Sequence, residues 1–272
     1  MVNGTVNSME ADHADADGAS NVPDLAFNGV REQFLQAGVS PELLAGDLIF
    51  MDTETTGFDN EADAIIEIGA VRYTNGRYTG QYHKYFNPNM PIPDESAKVH
   101  GITNELMQEM IRNGQAKTFS RSEAARLARF LGDAVILGHN FVRFDAKFLK
   151  STYARHGVSW VSNRVIDTMT ISKVRFPRNK LNLDALCKLM KVNTEGRKEF
   201  HGALVDAEIT ARMFAALVSL PPTGDLFASL RPEQSAMEAL GPVRIISDRG
   251  RPSSSDIMRH NALCERLGIE WR

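Results

Sequence analysis

Asp52 and Glu54 stand two residues apart at the end of an apolar run, in Leu48-Ile49-Phe50-Met51-Asp52-Thr53-Glu54-Thr55-Thr56-Gly57. The run reads as a buried strand. Side chains alternate across a strand, so residues i and i+2 share a face and the two carboxylates project side by side. Adjacent anions repel unless a cation joins them or one takes up a proton. The stretch therefore has two readings, a cation site or a charged strand end turned to solvent. The Thr-Thr-Gly that follows ends the strand and lets backbone come close to a ligand.

Two further stretches carry acids that such a site needs. In Gly138-His139-Asn140-Phe141-Val142-Arg143-Phe144-Asp145 a buried strand ends and a helix begins. Asp145 falls in the first turns of that helix, with Phe144 and Phe148 turned to the core. On its own, an acid there also suits the positive end of a helix. In His201-Gly202-Ala203-Leu204-Val205-Asp206 the acid lies on a helix and the imidazole precedes it behind a glycine. Five residues of helix turn through about 500°, roughly 140° from the start. His201 and Asp206 cannot share a helical face, so His201 has to reach across from the loop. A solitary His at that place otherwise decorates the surface or a helix end.

The elements that must position these groups follow from periodicity and turn chemistry. Leu48 opens one strand and Ile65 to Tyr73 forms a second. Asn75-Gly76 signals a hairpin returning through Arg77 to Phe86. After a loop with Pro88, Pro91 and Pro93, helices are expected near Asp94 to Val99, Ser120 to Leu131, Phe141 to His156, Leu183 to Met190 and Ala203 to Leu217. Short strands fall at Ala134 to Leu137 and Val165 to Asp167. A hairpin followed by strands alternating with helices predicts an α/β fold, a mixed sheet flanked by helices.

Composition bounds the rest. At 272 residues and 43% apolar the chain holds one substantial domain with appendages. The net charge of −3 hides a gradient. Met1 to Asp47 carries eight acids and one Arg, whereas Arg143 to Glu199 carries 13 basic residues against five acids, which suits a polyanionic ligand. Cys187 and Cys264 show neither metal spacing nor a disulfide framework, as in a reducing compartment. The first twenty residues lack the Lys, Arg and apolar core of a signal peptide. No apolar run approaches the roughly 20 residues that span a bilayer. The expected location is cytoplasmic, away from any membrane.

Taken together, the motifs resemble the histidine-type DEDD exonuclease family, within it most closely the proofreading (epsilon) subunits of bacterial DNA polymerase III. The resemblance runs from about Leu48 to Leu220. It includes Asp52-Thr53-Glu54-Thr55-Thr56-Gly57, Ile66-Glu67-Ile68-Gly69-Ala70, Val99-His100-Gly101-Ile102, His139-Asn140 with Phe144-Asp145, Leu183-Asp184-Ala185-Leu186-Cys187, and His201-Gly202-Ala203-Leu204 with Asp206-Ala207. It implies a ribonuclease H-like core and 3′→5′ removal of nucleoside monophosphates from DNA ends, single-stranded or mispaired. Carried over by motif, Asp52, Glu54, Asp145 and Asp206 hold two divalent cations and His201 is the general base. Thr55, Thr56, Gly57, Glu95 and His100 contact the terminal nucleotide. Four carboxylates suit Mg²⁺ or Mn²⁺ better than Zn²⁺. Asp167 and Glu67 are expected to be structural, Phe144 and Phe148 core, and His13, His83, His156 and His260 ordinary surface residues.

Residues 1–46 form an extension outside the family core, expected to be partly disordered. The exonuclease domain covers 47–221, a linker 222–242, and a polymerase-docking tail 243–272. Asp225-Leu226-Phe227 resembles the end of a sliding-clamp peptide without its leading Gln. The activity expected is metal-dependent proofreading beside a polymerase catalytic subunit. Its rivals are a free-standing exonuclease for short RNA or single-stranded DNA ends, and a docking module without catalysis.

Overall fold

Strand β1 (Asp47–Thr55) is the axis of the molecule: Leu48, Ile49, Phe50 and Met51 are all inaccessible to solvent, because helices cover both faces of the sheet. A computed structural model describes Leu25, residues 46–194, Arg197 and residues 201–220. Apart from Leu25 and Gly46 the extension lies outside those residues, as do the linker, Asp225-Leu226-Phe227 and the docking tail.

β1 pairs antiparallel with β2 (Ile65–Thr74), which pairs antiparallel with β3 (Arg77–Phe86). Asn75 and Gly76 link the last two with φ of 53° and 79°, the positive pair that an Asn-Gly hairpin turn requires. On the other side β5 (Val135–Gly138) and then β6 (Val165–Asp167) run parallel to β1, while β4 (Ala116–Lys117) extends β3 in parallel. The six-stranded order β4-β3-β2-β1-β5-β6 is mixed, as the sequence predicts. In chain order the helices are α1 (Asp94–His100), α2 (Asn104–Arg112), α3 (Arg121–Leu131), α4 (Asp145–Arg155), α5 (Thr168–Arg175), α6 (Leu183–Met190) and α7 (Ala203–Val218).

Four elements differ from the sequence expectation. The helix expected from Phe141 begins at Asp145, because Asn140 is left-handed (φ 62°) and Phe144 is not helical. α2 and α5 were not anticipated. α2 starts where the Thr103 hydroxyl accepts from Leu106 N–H. α5 follows β6 with no loop, and its β-branched sequence favours a strand by propensity; the Asp167 carboxylate, accepting from Met169 N–H, overrides that preference. β4, two residues long, is too short to show a period.

The alternation of β1 sets which layer each residue meets. Leu48 and Phe50 pack with Ala207, Ala211 and Phe214 of α7. Ile49 and Met51 pack with Leu127 of α3 and Phe148 of α4. α7 lies unusually close to the sheet at Gly69, where a Cβ would come within 2.0 Å of Leu204 N. That atom is backbone and cannot rotate away. Gly69→Ala is expected to cost about 3 kcal/mol, the upper range of overpacking, read as a shift in denaturant midpoint; an unshifted midpoint would show that α7 can slide.

Candidate active site

Continuing the alternation, Asp52 and Glu54 fall on the α7 face of β1 and Thr53 on the α4 face. The register places Asp52 opposite Gly69, the residue against which α7 rests. The first turn of α7 therefore arrives beside Asp52, and it carries Asp206. His201 lies in the loop before that helix, its N–H donating to Val99 O of α1 at 2.9 Å. It does reach over from outside the helix. Asp145, the first residue of α4, is buried, and its Oδ1 accepts from Thr53 N–H at 2.9 Å and Thr53 Oγ1 at 2.7 Å. The close turn before it needs Gly138, where a Cβ would lie 2.5 Å from the Phe141 ring. Asp167 fixes that turn, accepting from Asn140 N–H and Val142 N–H, each at 3.1 Å.

Asp52, Glu54, Asp145, Asp206 and His201 line one cleft of about 310 Å³. Acids from three separate parts of the chain thus meet at the end of the central strand. Thr55, Gly57 and His100 also line it, but Thr56 and Glu95 do not. Thr56 is fully buried: its N–H donates to Ala64 O, its carbonyl accepts from Ser96 Oγ, and its hydroxyl bonds Asp63 and Ala64. Each polar group of Thr56 has an internal partner, which shapes the loop. Glu95 is exposed on α1. His100 Nδ1 accepts from Ile102 N–H at 3.1 Å, so the proton of the neutral ring sits on Nε2. That buried Nε2 has no hydrogen-bond partner.

Glu54, His201 and Asp206 offer ligand atoms within 4.8 Å of one another, a candidate cation cluster. Asp206 is 4% exposed, and its Oδ1 lies 2.6 Å from Nε of Arg197, an ion-pair contact. A buried carboxylate is held in the interior by such a cationic partner.

The family model described as Exonuclease matches residues 49–214, a span that holds every acid of the cleft. The chain belongs to the exonuclease family. Among curated relatives, DNA polymerase III subunit epsilon of Rickettsia typhi is 37% identical over 175 residues, covering 62% of this chain and 72% of that one. The epsilon subunit of Haemophilus influenzae is 31% identical over 210 residues, covering 74% and 76%. In fold the chain is similar to E. coli exonuclease I solved with a dT13 oligonucleotide, at a TM-score of 0.55 and 19% identity; the likeness covers 64% of this chain and 41% of that one. The chain is accordingly a 3′→5′ exonuclease with a ribonuclease H-like core. Among its described residues no helix is long and apolar enough to cross a membrane.

The crowded acids of the cleft are held above the usual carboxylate range. Removal from water, then repulsion from Asp206, Glu67 and Asp145, pushes the Glu54 carboxyl up to about 8. Burial pushes Asp145 up to about 7 against the pull of its Thr53 hydrogen bonds. Burial followed by Asp145 raises Asp52 as well. Unfolded carboxyls titrate near 4, so between about pH 4 and 8 the folded chain binds more protons than the unfolded one. Stability then falls as pH rises through that window. With divalent ions chelated, the melting temperature is expected to drop from pH 5 to pH 8 and to be restored at pH 8 by excess Mn²⁺. A flat profile would mean the acids are not held this close.

Other residues depart from the sequence reading. His83 is no ordinary surface residue: its Nε2 lies 2.7 Å from Oε1 of Glu67, which is 3% exposed behind the site. Phe148 is core, but Phe144 is half-buried in the cleft wall, its ring 6.1 Å from that of Phe58. Phe58 itself is 89% exposed. Arg197, also in the cleft wall, belongs to no motif; its proximity to His201 in sequence is the one signal that could have singled it out.

Proposed function

We propose that the protein is a metal-dependent 3′→5′ exodeoxyribonuclease that releases nucleoside monophosphates and proofreads as an epsilon-like subunit of a replicative DNA polymerase. The observation that carries this reading is a single cleft shared by four acids and an imidazole. Asp52, Glu54, Asp145 and Asp206 would hold two divalent cations, Mg²⁺ or Mn²⁺, since clustered carboxylate oxygens suit small hard ions. Such a pair, once bound, lowers the pKa of a water and stabilises both the attacking and leaving oxygens of an in-line displacement.

The chain's own groups then have separate tasks. Thr53 keeps the Asp145 carboxylate in place through two hydrogen bonds. His201, tethered by its backbone to α1, takes the proton of the attacking water. His100 lines the cleft beside the place of the terminal nucleotide, its ring fixed by the hydrogen bond that Nδ1 accepts from Ile102 N–H. Thr55 and Gly57 border the same space, and the Thr55 hydroxyl, donating to Gly57 O at 2.6 Å, keeps that turn tight.

The relatives named epsilon support DNA and a polymerase partner. Docking through 243–272 and a clamp contact through Asp225-Leu226-Phe227 are further parts of the proposal. The test is degradation of a primer with a mispaired 3′ end, beside its paired form and a short RNA, in Mg²⁺ or Mn²⁺. Faster release from the mispaired DNA is expected. Preference for the RNA would point to a free-standing exonuclease, and no nucleotide release from any substrate would leave only a docking module. Retention on a polymerase catalytic subunit, lost on truncation after Pro221, tests the partnership.

A further inference from the structure

Arg197 brings a fixed positive charge into the cleft. Its side chain is 7% exposed. Nε lies 2.6 Å from Asp206 Oδ1, an ion-pair contact outside hydrogen-bond geometry. Nη2 donates to Asp206 Oδ2 at 2.9 Å and to His201 Nδ1 at 3.0 Å. Nη1 pairs with Asp184 of α6, a carboxylate that is 63% exposed.

Two consequences follow from the chemistry of a guanidinium, which donates and never accepts. The first concerns His201. Nδ1 has to be the acceptor, so the lone pair there is engaged and the proton of the neutral imidazole lies on Nε2. Held this way, His201 has no free nitrogen with which to take a proton. The second concerns Asp206. Its two oxygens face the guanidinium, and a divalent ion ligated by the same carboxylate would stand a few ångströms from it. Like charges at that separation repel strongly in a partly dry cleft. The base and one cation ligand are therefore occupied by a single side chain.

We propose that Arg197 is an internal latch, whose hold on Asp206 and His201 excludes the divalent ion bound by Asp206. Ion binding exchanges the guanidinium outward onto Asp184, which frees the His201 lone pair in the same movement. Asp184 suits this role because it already holds Nη1 and lies at the solvent side of the contact. The latch rests on the cation reading of the cleft, but it adds a residue and a sequence of events that this reading does not contain.

Calorimetric titration of Mn²⁺ into the full chain, without nucleic acid, tests it. Arg197→Gln removes the competing charge and is expected to bind Mn²⁺ about tenfold more tightly. Asp184→Asn removes a partner that holds Nη1 before the ion arrives and receives the guanidinium afterwards, and is expected to change Mn²⁺ affinity several-fold. Imidazole ¹⁵N spectra supply a second readout: in chelator the Nδ1 resonance of His201 reports an accepted hydrogen bond in the wild type, and that bond weakens in Arg197→Gln. Equal or weaker Mn²⁺ binding by a folded Arg197→Gln overturns the latch. Should Arg197→Gln fail to fold, unchanged affinity in Asp184→Asn overturns it instead. Wild-type chain giving no Mn²⁺ heat at all sinks the cation reading and the latch with it, whereas wild-type binding that neither variant alters sinks the latch alone.

Discussion

Asp52→Ala is expected to lose about three orders of magnitude in nucleotide release, because a cation that stabilises transition-state charge is worth several kcal/mol and each 1.36 kcal/mol is tenfold. The same change has an opposite effect on the fold. Asp52 is held beside Asp145, Asp206, Glu54 and Glu67, all of which raise its pKa. Removing one of these charges relieves repulsion, so in chelator at pH 8 the variant should melt above the wild type. It should then fail to gain the stabilisation that Mn²⁺ gives the wild type by mass action. Calorimetry separates the two effects by reading ion affinity directly. A variant that binds Mn²⁺ as well as the wild type would remove Asp52 from the ligand set.

His201→Ala is expected to slow hydrolysis by 10²–10⁴, the usual range for a lost general base, with little change in ion affinity. The truncation is structurally mild. The imidazole is 39% exposed, and the anchor of the loop is the His201 N–H bonded to Val99 O, which alanine retains. Folding and binding to a 3′ end should therefore survive, so a fall in kcat with KM nearly constant is the signature. The grouping of Glu54, His201 and Asp206 gives this experiment a second edge. A loss of ion affinity as large as that of Asp52→Ala would recast His201 as a ligand, and undiminished hydrolysis would remove it from the reaction.

Much of this site is legible in the chain because its chemistry is local. Asp52 and Glu54 share a face by strand alternation alone, and the step from His201 to Asp206 follows from helical rotation. The sheet is legible for similar reasons, since Asn75-Gly76 dictates a hairpin and β1 carries the unbroken apolar run Leu48 to Met51. What escapes is set at long range or in short range by side-chain caps. α5 exists because Asp167 caps it and at the same moment grips the turn at Asn140 and Val142. Thr56 reads as a ligand contact by motif, and only the fold shows that it also ties its loop to Asp63, Ala64 and Ser96 of two other segments. Arg197 is one of many basic residues in its region, and only the folded chain reveals that it turns inward among acids.

The near-contact between Gly69 and Leu204 has a consequence for how the molecule tolerates change. Most distances inside a protein are held by side chains, which repack when a neighbour grows or shrinks. Here main chain abuts main chain, with Asp52 paired to one side of the junction and Asp206 two residues beyond it on the other. The junction acts as a mechanical stop. Drift in the surrounding hydrophobic interior is absorbed by rotamers elsewhere, while the gap between these two acids keeps its calibration.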